Sequence, residues 1–315
     1  MSPGRRRAIR ALASIALLAA VVAVLPAGTL QSALAEASVT MIALSVASFI
    51  VCHLVAAFKW RMLMGPSVEL SYPKAVTAHF TGLVGNLTPL GMIGGDLLRA
   101  AVASNGSVRP AAIVLSSVVD RIVDSLALVL LALAGFTWVG GRSIAAWVLF
   151  SGGIVVSAFG IAALLLGQRV LQRSGNARLT GIRDAFGMLV ERPGLIARAL
   201  VLSVFVQGSL VTINAYIGMS VGVESSFGAW LLAWPATKFA AYLPVGIAGI
   251  GVREAALVAL LRPLGGAPGP VMAAGLLWDA VIVIGALAGW LLFTWLPALR
   301  HVALRRIALR RIQTP

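Results

Sequence analysis

A chain of 315 residues that is 60% hydrophobic and only 11% charged, with a mean hydropathy of +0.98, excludes a water-soluble domain, where about a quarter of residues are charged. The formal net charge of +15 supports nucleic acid as a partner only weakly, because no basic face carries stacking aromatics. The charge instead follows the positive-inside pattern of membrane helices, with attraction to anionic lipid as a secondary effect.

Apolar runs of about 20 residues, each able to cross a hydrocarbon layer of about 30 Å as a helix, occur at 11–25, 39–58, 111–139, 144–166, 197–219 and 271–296. The first follows Arg5–Arg7 and precedes an Ala-x-Ala pattern in "SALAEA". It reads as a retained helix or as a cleaved signal peptide; either leaves Glu36 outside. The second run contains Cys52, the chain's single cysteine, which has no intrachain disulfide partner and no metal-site spacing around it. Lys59 and Arg61 follow as basic flanking residues.

Next comes a broken segment. Helix signals run from Pro73 to about Leu87, then Pro89, Gly91, Gly94 and Gly95 interrupt them, and helix formers resume from Leu97 to Ala103. Proline removes a backbone donor and glycine permits positive φ. Broken backbone at membrane depth survives only where it is buried in protein or lines a wet cavity. Residues 75–103 are therefore expected to form two half-helices around a loop, with Asn86 satisfying backbone groups freed at the break. The half-helix after the break is expected to begin near Gly95. His79, on the first arm, is a candidate proton carrier or a hydrogen-bonded packing histidine.

The run at 111–139 carries Asp120, Arg121 and Asp124. The two aspartates share a helix face and Arg121 is spaced to pair with Asp124, so the three are expected to lock helices together. The segment 168–193 is basic and reads as a cytoplasmic connector. After the run at 197–219 the break recurs. Pro89, Gly91 and Gly94 have the same spacing as Pro244, Gly246 and Gly249, 155 residues later, and Gly251 then begins a new half-helix with Arg253 and Glu254. The same offset matches Glu69 with Glu224, Ser71 with Ser226 and Asp124 with Asp279. The chain is thus read as one integral membrane domain, 1–315, with repeats at about 41–139 and 196–294. The expected fold is all-α and polytopic, with about six full transmembrane helices and two re-entrant hairpins, 75–103 and 227–262. With the N-terminus and the basic tail, 300–315, in the cytoplasm of a cell-membrane protein, 20 of the 25 Lys and Arg residues fall inside. An odd number of crossings then separates the repeats and inverts them, a transporter signature.

Gly94–Gly95–Asp96–Leu97–Leu98–Arg99 after the first break, and Pro244 through Gly249, Gly251, Arg253 and Glu254 at the second, resemble the flippase-like membrane domain of bifunctional lysylphosphatidylglycerol synthetase/flippases. Stand-alone relatives are labelled "lysylphosphatidylglycerol synthase transmembrane region" or "dolichol-phosphate-glucose synthetase-like". The resemblance covers nearly the whole chain. It implies movement of a phospholipid or polyprenyl-phosphate-linked lipid between leaflets, without the aminoacyl-transferring soluble domain of the bifunctional proteins.

Ionisable residues inside a membrane are functional candidates by default. Asn86, Asp96, Arg99, Lys238, Arg253, Glu254 and Asp279 are therefore the candidate lipid-handling set. Asp96 and Arg99 share a face and read as a mutual ion pair, a substrate contact, or both. Arg253 and Glu254 are expected to bond across the repeat or reach substrate. Asp279 needs a partner, with Arg253 the candidate, and Lys238 snorkels or lines the cavity. Helix N-termini near the two breaks, with Arg99 and Arg253, suit a lipid phosphate. No catalytic motif, metal-ligand cluster, nucleotide-binding loop or cofactor site is expected. The alternative is an accessory subunit partnering a lipid-modifying enzyme, or a glycosyltransferase-like enzyme of envelope biosynthesis.

Overall fold

Ser38 starts the first long helix. Its hydroxyl accepts the Met41 N–H at 3.0 Å, which satisfies one of the donors a helix N-terminus leaves open. The computed structural model describes residues 29–64, 70–88, 91–104, 110–140, 192–241 and 251–295. Among the described residues there are helices and no strand. In chain order they are α1 (Thr29–Ala35), α2 (Val39–Leu63), α3 (Tyr72–Asn86), α4 (Gly91–Ala103), α5 (Pro110–Trp138), α6 (Pro193–Ser220), α7 (Phe227–Ala241), α8 (Val252–Leu261) and α9 (Pro268–Trp290). A π-helical turn, Leu291–Trp295, extends α9.

Among the described residues, three helices are long and apolar enough to cross a membrane: α2, α6, and α9 with its extension to Thr294. With α5 at 29 residues, they stand where the sequence places the runs at 39–58, 111–139, 197–219 and 271–296. The runs at 11–25 and 144–166, nearly all of the 168–193 connector and the 300–315 tail lie outside the described residues. So do Pro89, Pro244, Gly246 and Gly249.

The first break is a helix–turn–helix, but its second arm starts earlier than the sequence suggests. α4 begins at Gly91, so Gly94 and Gly95 are helical rather than part of the turn. Only Gly91 needs glycine's backbone freedom, with φ at +54°. Gly95 serves packing. A Cβ on Gly95 would overlap the Asn86 side chain and lie 2.5 Å from the Gly82 carbonyl oxygen, while one on Gly85 would lie 2.8 Å from Gly95 Cα. α3 and α4 thus run antiparallel with backbones in near contact, the close approach that small residues permit inside membranes. Gly95→Ala should lower stability by about 1–3 kcal/mol, the usual effect of overfilling a packed contact. Gly194→Ala, where a Cβ meets nothing within 4 Å, should not. Thermal melting in detergent checks the pair.

α7 and α8 also pack against each other. Gly251 caps α8 with φ at +88°, as a half-helix starting there requires. Elsewhere glycines on one helix receive rings from another. Phe49 of α2 sits at Gly285 and Phe80 of α3 at Gly289, both on α9, while Trp230 of α7 covers Gly218 of α6. The largest apolar core joins α2, α6, α7, α8 and α9, with Trp230, Trp234 and Trp278 inside it.

Candidate functional site

Half of the chain's ten acidic residues, Asp96, Asp120, Asp124, Glu254 and Asp279, stand in helices beside five cations, Lys59, Arg99, Arg121, Lys238 and Arg253. Their arrangement falls into two ion-pair networks and one lysine whose recorded contact is a neutral amide.

The larger network joins α2, α4, α5 and α6. Lys59, with 1% of its side chain exposed, pairs with Asp120 at 3.1 Å and with Asp124. It also donates to the Ser203 hydroxyl at 2.7 Å, which in turn donates to Asp124 at 2.7 Å. Asp120 continues the chain to Arg99 at 3.5 Å, and the Arg99 guanidinium lies 3.7 Å from the centre of the buried Trp60 ring, a cation–π contact. Beside these, Arg121 pairs with Asp96 at 2.6 Å, both side chains 38% exposed. That pair is the most exposed in the network.

Two sequence expectations change here. Asp96 and Arg99 do not pair with each other among the recorded contacts; each reaches α5. Consecutive residues Asp120 and Arg121 present opposite charges to α4, so two cross-helix pairs form, whereas an intrahelical pair would tie α4 only to itself. Likewise Asp124 meets Lys59 rather than Arg121, because the face it shares with Asp120 is the one that receives the lysine. The expected helix-locking role of Asp120, Arg121 and Asp124 fits these contacts. Lys59 itself departs from the flanking role read for it. It lies inside the protein, held by two carboxylates and a hydroxyl. Nothing in its local sequence distinguishes it from Arg61, which instead donates to the Leu70 carbonyl at 2.5 Å.

The second network lies on α8 and α9. Glu254, fully buried, accepts the Gly251 N–H at 2.5 Å and Arg253 Nε at 3.1 Å. Arg253 also reaches Asp279 through its terminal nitrogen, which makes the pairing that the sequence proposes for that aspartate. Arg253 and Glu254, read from the sequence as bonding across the repeat or reaching substrate, bond to each other. The helix start explains this: Glu254 folds back to cap α8, and that brings its carboxylate under the arginine. Gly275 of α9 makes room, since a Cβ there would lie 3.0 Å from Glu254 Cγ.

Lys238 of α7 donates to Gln207 Oε1 of α6 at 2.6 Å. His79 forms a 3.0 Å hydrogen bond with His53 and stands against Phe80, matching its reading as a hydrogen-bonded packing histidine. Asn86 packs on Gly95. Sequence reasoning did not single out Ser203, Gln207, Asn214 or His53. Buried polar residues at spacings of four and seven along α6 were a usable signal.

The start of α4 at Gly91 separates Arg99 from that helix N-terminus by eight residues, about 12 Å along the axis. An anion at that terminus is therefore out of register with Arg99. At α8 the terminal N–H of Gly251 is already taken by Glu254. Arg253, in the first turn of that helix, is itself paired with Glu254 and Asp279. Among the described residues, no group of three or more His, Cys, Asp or Glu side chains is placed to hold a metal.

No curated protein matches this chain. The family described as "Lysylphosphatidylglycerol synthase TM region" matches residues 9–289, which takes in both networks and, among the described residues, helices α1 to α8 and nearly all of α9. The chain belongs to the lysylphosphatidylglycerol synthase transmembrane-region family.

Proposed function

We propose that this membrane protein moves a phospholipid or polyprenyl-phosphate-linked lipid between leaflets by opening and closing its helical hairpins. The observation that carries the reading is the ionic seam between α4 and α5. Charges at membrane depth are expensive to keep, and a purely structural hairpin has apolar packing available at no such penalty. Here α4 is held to α5 by Arg121–Asp96 and Arg99–Asp120. The half-exposed pair Arg121–Asp96 can exchange its partners for the charges of a headgroup, and the hairpin can then swing without leaving an ion bare. The acyl or prenyl chains stay in the bilayer throughout. Residues 75–103 and 227–262 act as re-entrant hairpins of an inverted repeat, with both termini cytoplasmic. Supporting this arrangement are the 155-residue offset between the two glycine-rich breaks and the closeness of each hairpin's two arms.

Reconstitution into liposomes with a leaflet-resolved assay over a panel of phospholipids and polyprenyl phosphates tests the proposal. Wild-type protein should accelerate exchange for at least one lipid. Asp96→Ala and Arg121→Ala should each slow it about tenfold or more, the size of one lost charge-assisted contact. Equal rates for wild type, both variants and empty liposomes would remove the transport reading. In that event, turnover of an added sugar donor would favour the enzyme alternative, and neither activity the accessory-subunit one.

A further inference from the structure

Two contacts set the register of α6 against α7. Gln207 meets Lys238, and Gly218 meets the Trp230 ring. Residue numbers rise on one helix as they fall on the other, so the helices are antiparallel. On α6, residues 207, 214 and 218 fall within about 40° of one another on a helix of 3.6 residues per turn. Asn214 therefore lies on the face bounded by the two contacts. On α7, Trp230, Trp234 and Lys238 follow at intervals of four, the spacing of a shared stripe, so Trp234 lies between the same two contacts along the helix, with its ring edge-on to Trp278 of α9 at 5.2 Å.

The polar atoms along this seam are mostly unmatched. Asn214 is fully buried, and among the described residues neither its Nδ2 nor its Oδ1 has a hydrogen-bond partner. The Nε1 atoms of Trp230 and Trp234, both buried, have none either. Lys238 has three donors, and its recorded hydrogen bond goes to the neutral Gln207 amide. A buried polar group without a partner is normally selected against, and here three lie along one interface beside a lysine. Donors dominate: an ammonium, two indole N–H groups and one amide NH₂, against a single free amide oxygen. Such a set fits an anion carrying oxygen acceptors. Position adds a further point. At the 155-residue offset, Asn214 matches Lys59. Lys59 has its own carboxylates, whereas Asn214 has no recorded partner.

We propose that the α6–α7 seam binds the phosphate of a lipid headgroup, with Lys238 as the cationic contact and Asn214, Trp230 and Trp234 as neutral donors. This rests on the transport reading for its lipid source but not for its geometry. It places the anion away from both helix starts, which the sequence had suggested for it.

Binding of dioctanoyl phosphatidylglycerol to the full-length protein in detergent tests the site, with dioctanoylglycerol and inorganic phosphate as comparisons. The phospholipid should bind and the phosphate-free glyceride should not. Lys238→Gln should weaken binding about tenfold or more, and Asn214→Leu and Trp234→Phe about fivefold each, as expected for one charged and one neutral hydrogen bond. Val201→Ala, at a side chain 69% exposed on α6, should leave affinity unchanged. An Asn214→Leu protein that melts higher and binds as wild type would overturn the proposal, since a merely unsatisfied amide behaves that way. Asn214→Leu and Trp234→Phe change no charge, so the site stays testable if Lys238→Gln fails to fold. Equal binding of inorganic phosphate and phospholipid would replace the lipid by free phosphate as ligand. Binding that depends on these residues in a protein that moves no lipid would refute transport and keep the site. Translocation unchanged by Lys238→Gln and Asn214→Leu would refute the site and keep transport.

Discussion

Lys59→Met should destabilise the protein by about 3–5 kcal/mol, the range for removing one partner of a buried ion pair. Methionine fills the lysine's volume, so the loss is electrostatic rather than a cavity. The lysine alone joins Asp120, Asp124 and Ser203. Without it, Asp120 retains Arg99 at 3.5 Å, while Asp124 retains the Ser203 hydroxyl as its recorded donor. Three helices lose their common tie at once, since α2, α5 and α6 meet at this ammonium. Adding Asp124→Asn to Lys59→Met should recover much of the loss, because the uncompensated carboxylate is gone. Thermal melting and the monodisperse fraction in detergent measure both. A Lys59→Met protein that melts like wild type would mean that the lysine is a solvated flanking charge after all.

Arg253→Met should cost a similar amount, about 3–5 kcal/mol, through a different geometry. Arg253 uses Nε for Glu254 and a terminal nitrogen for Asp279. Glu254 keeps the Gly251 N–H, so the start of α8 survives, but Asp279 loses its ion-pair partner. Stability should therefore return largely with Asp279→Asn on the Arg253→Met background. Arg253→Lys provides the sharper test. Lysine keeps the charge but has one nitrogen where arginine uses two in a rigid fork. It should give back only part of the loss, leaving a deficit of about 1.5–3 kcal/mol, the range for one hydrogen bond to a charged group. Full rescue by lysine would show that charge alone, without the fork, holds α8 to α9.

The helical segments were readable because their signals are local. Ser38 before an apolar run, prolines at the starts of α3, α6 and α9, and long uncharged stretches each act within one segment. Local too was the need for a break after Leu87, and α3 ends at Asn86 while α4 starts at Gly91. What the local pattern misassigned was the role of Gly95. Glycine is a breaker or a packing surface depending on what lies opposite, and Gly82 and Asn86 lie opposite. The family was equally legible, since its motifs are contiguous in the chain.

Composition and hydropathy by themselves determined that this is a helical membrane protein, the resemblance of its two glycine-rich motifs pointed to its family, and its scarce acidic residues stood out as candidates. They could do so because burial in lipid is decided residue by residue: each charge is penalised wherever it lies along the helix. Only the tertiary structure decided which charge meets which. Lys59 reaches Asp124 across 65 residues and Ser203 across 144, and Asp96 passes over Arg99 to take Arg121. Ion pairing depends on which helix faces which at distances of about 3 Å, and no spacing along a single helix encodes that. The same holds for the α6–α7 seam, where the lysine, the indoles and the amide become one surface only once the two helices lie antiparallel.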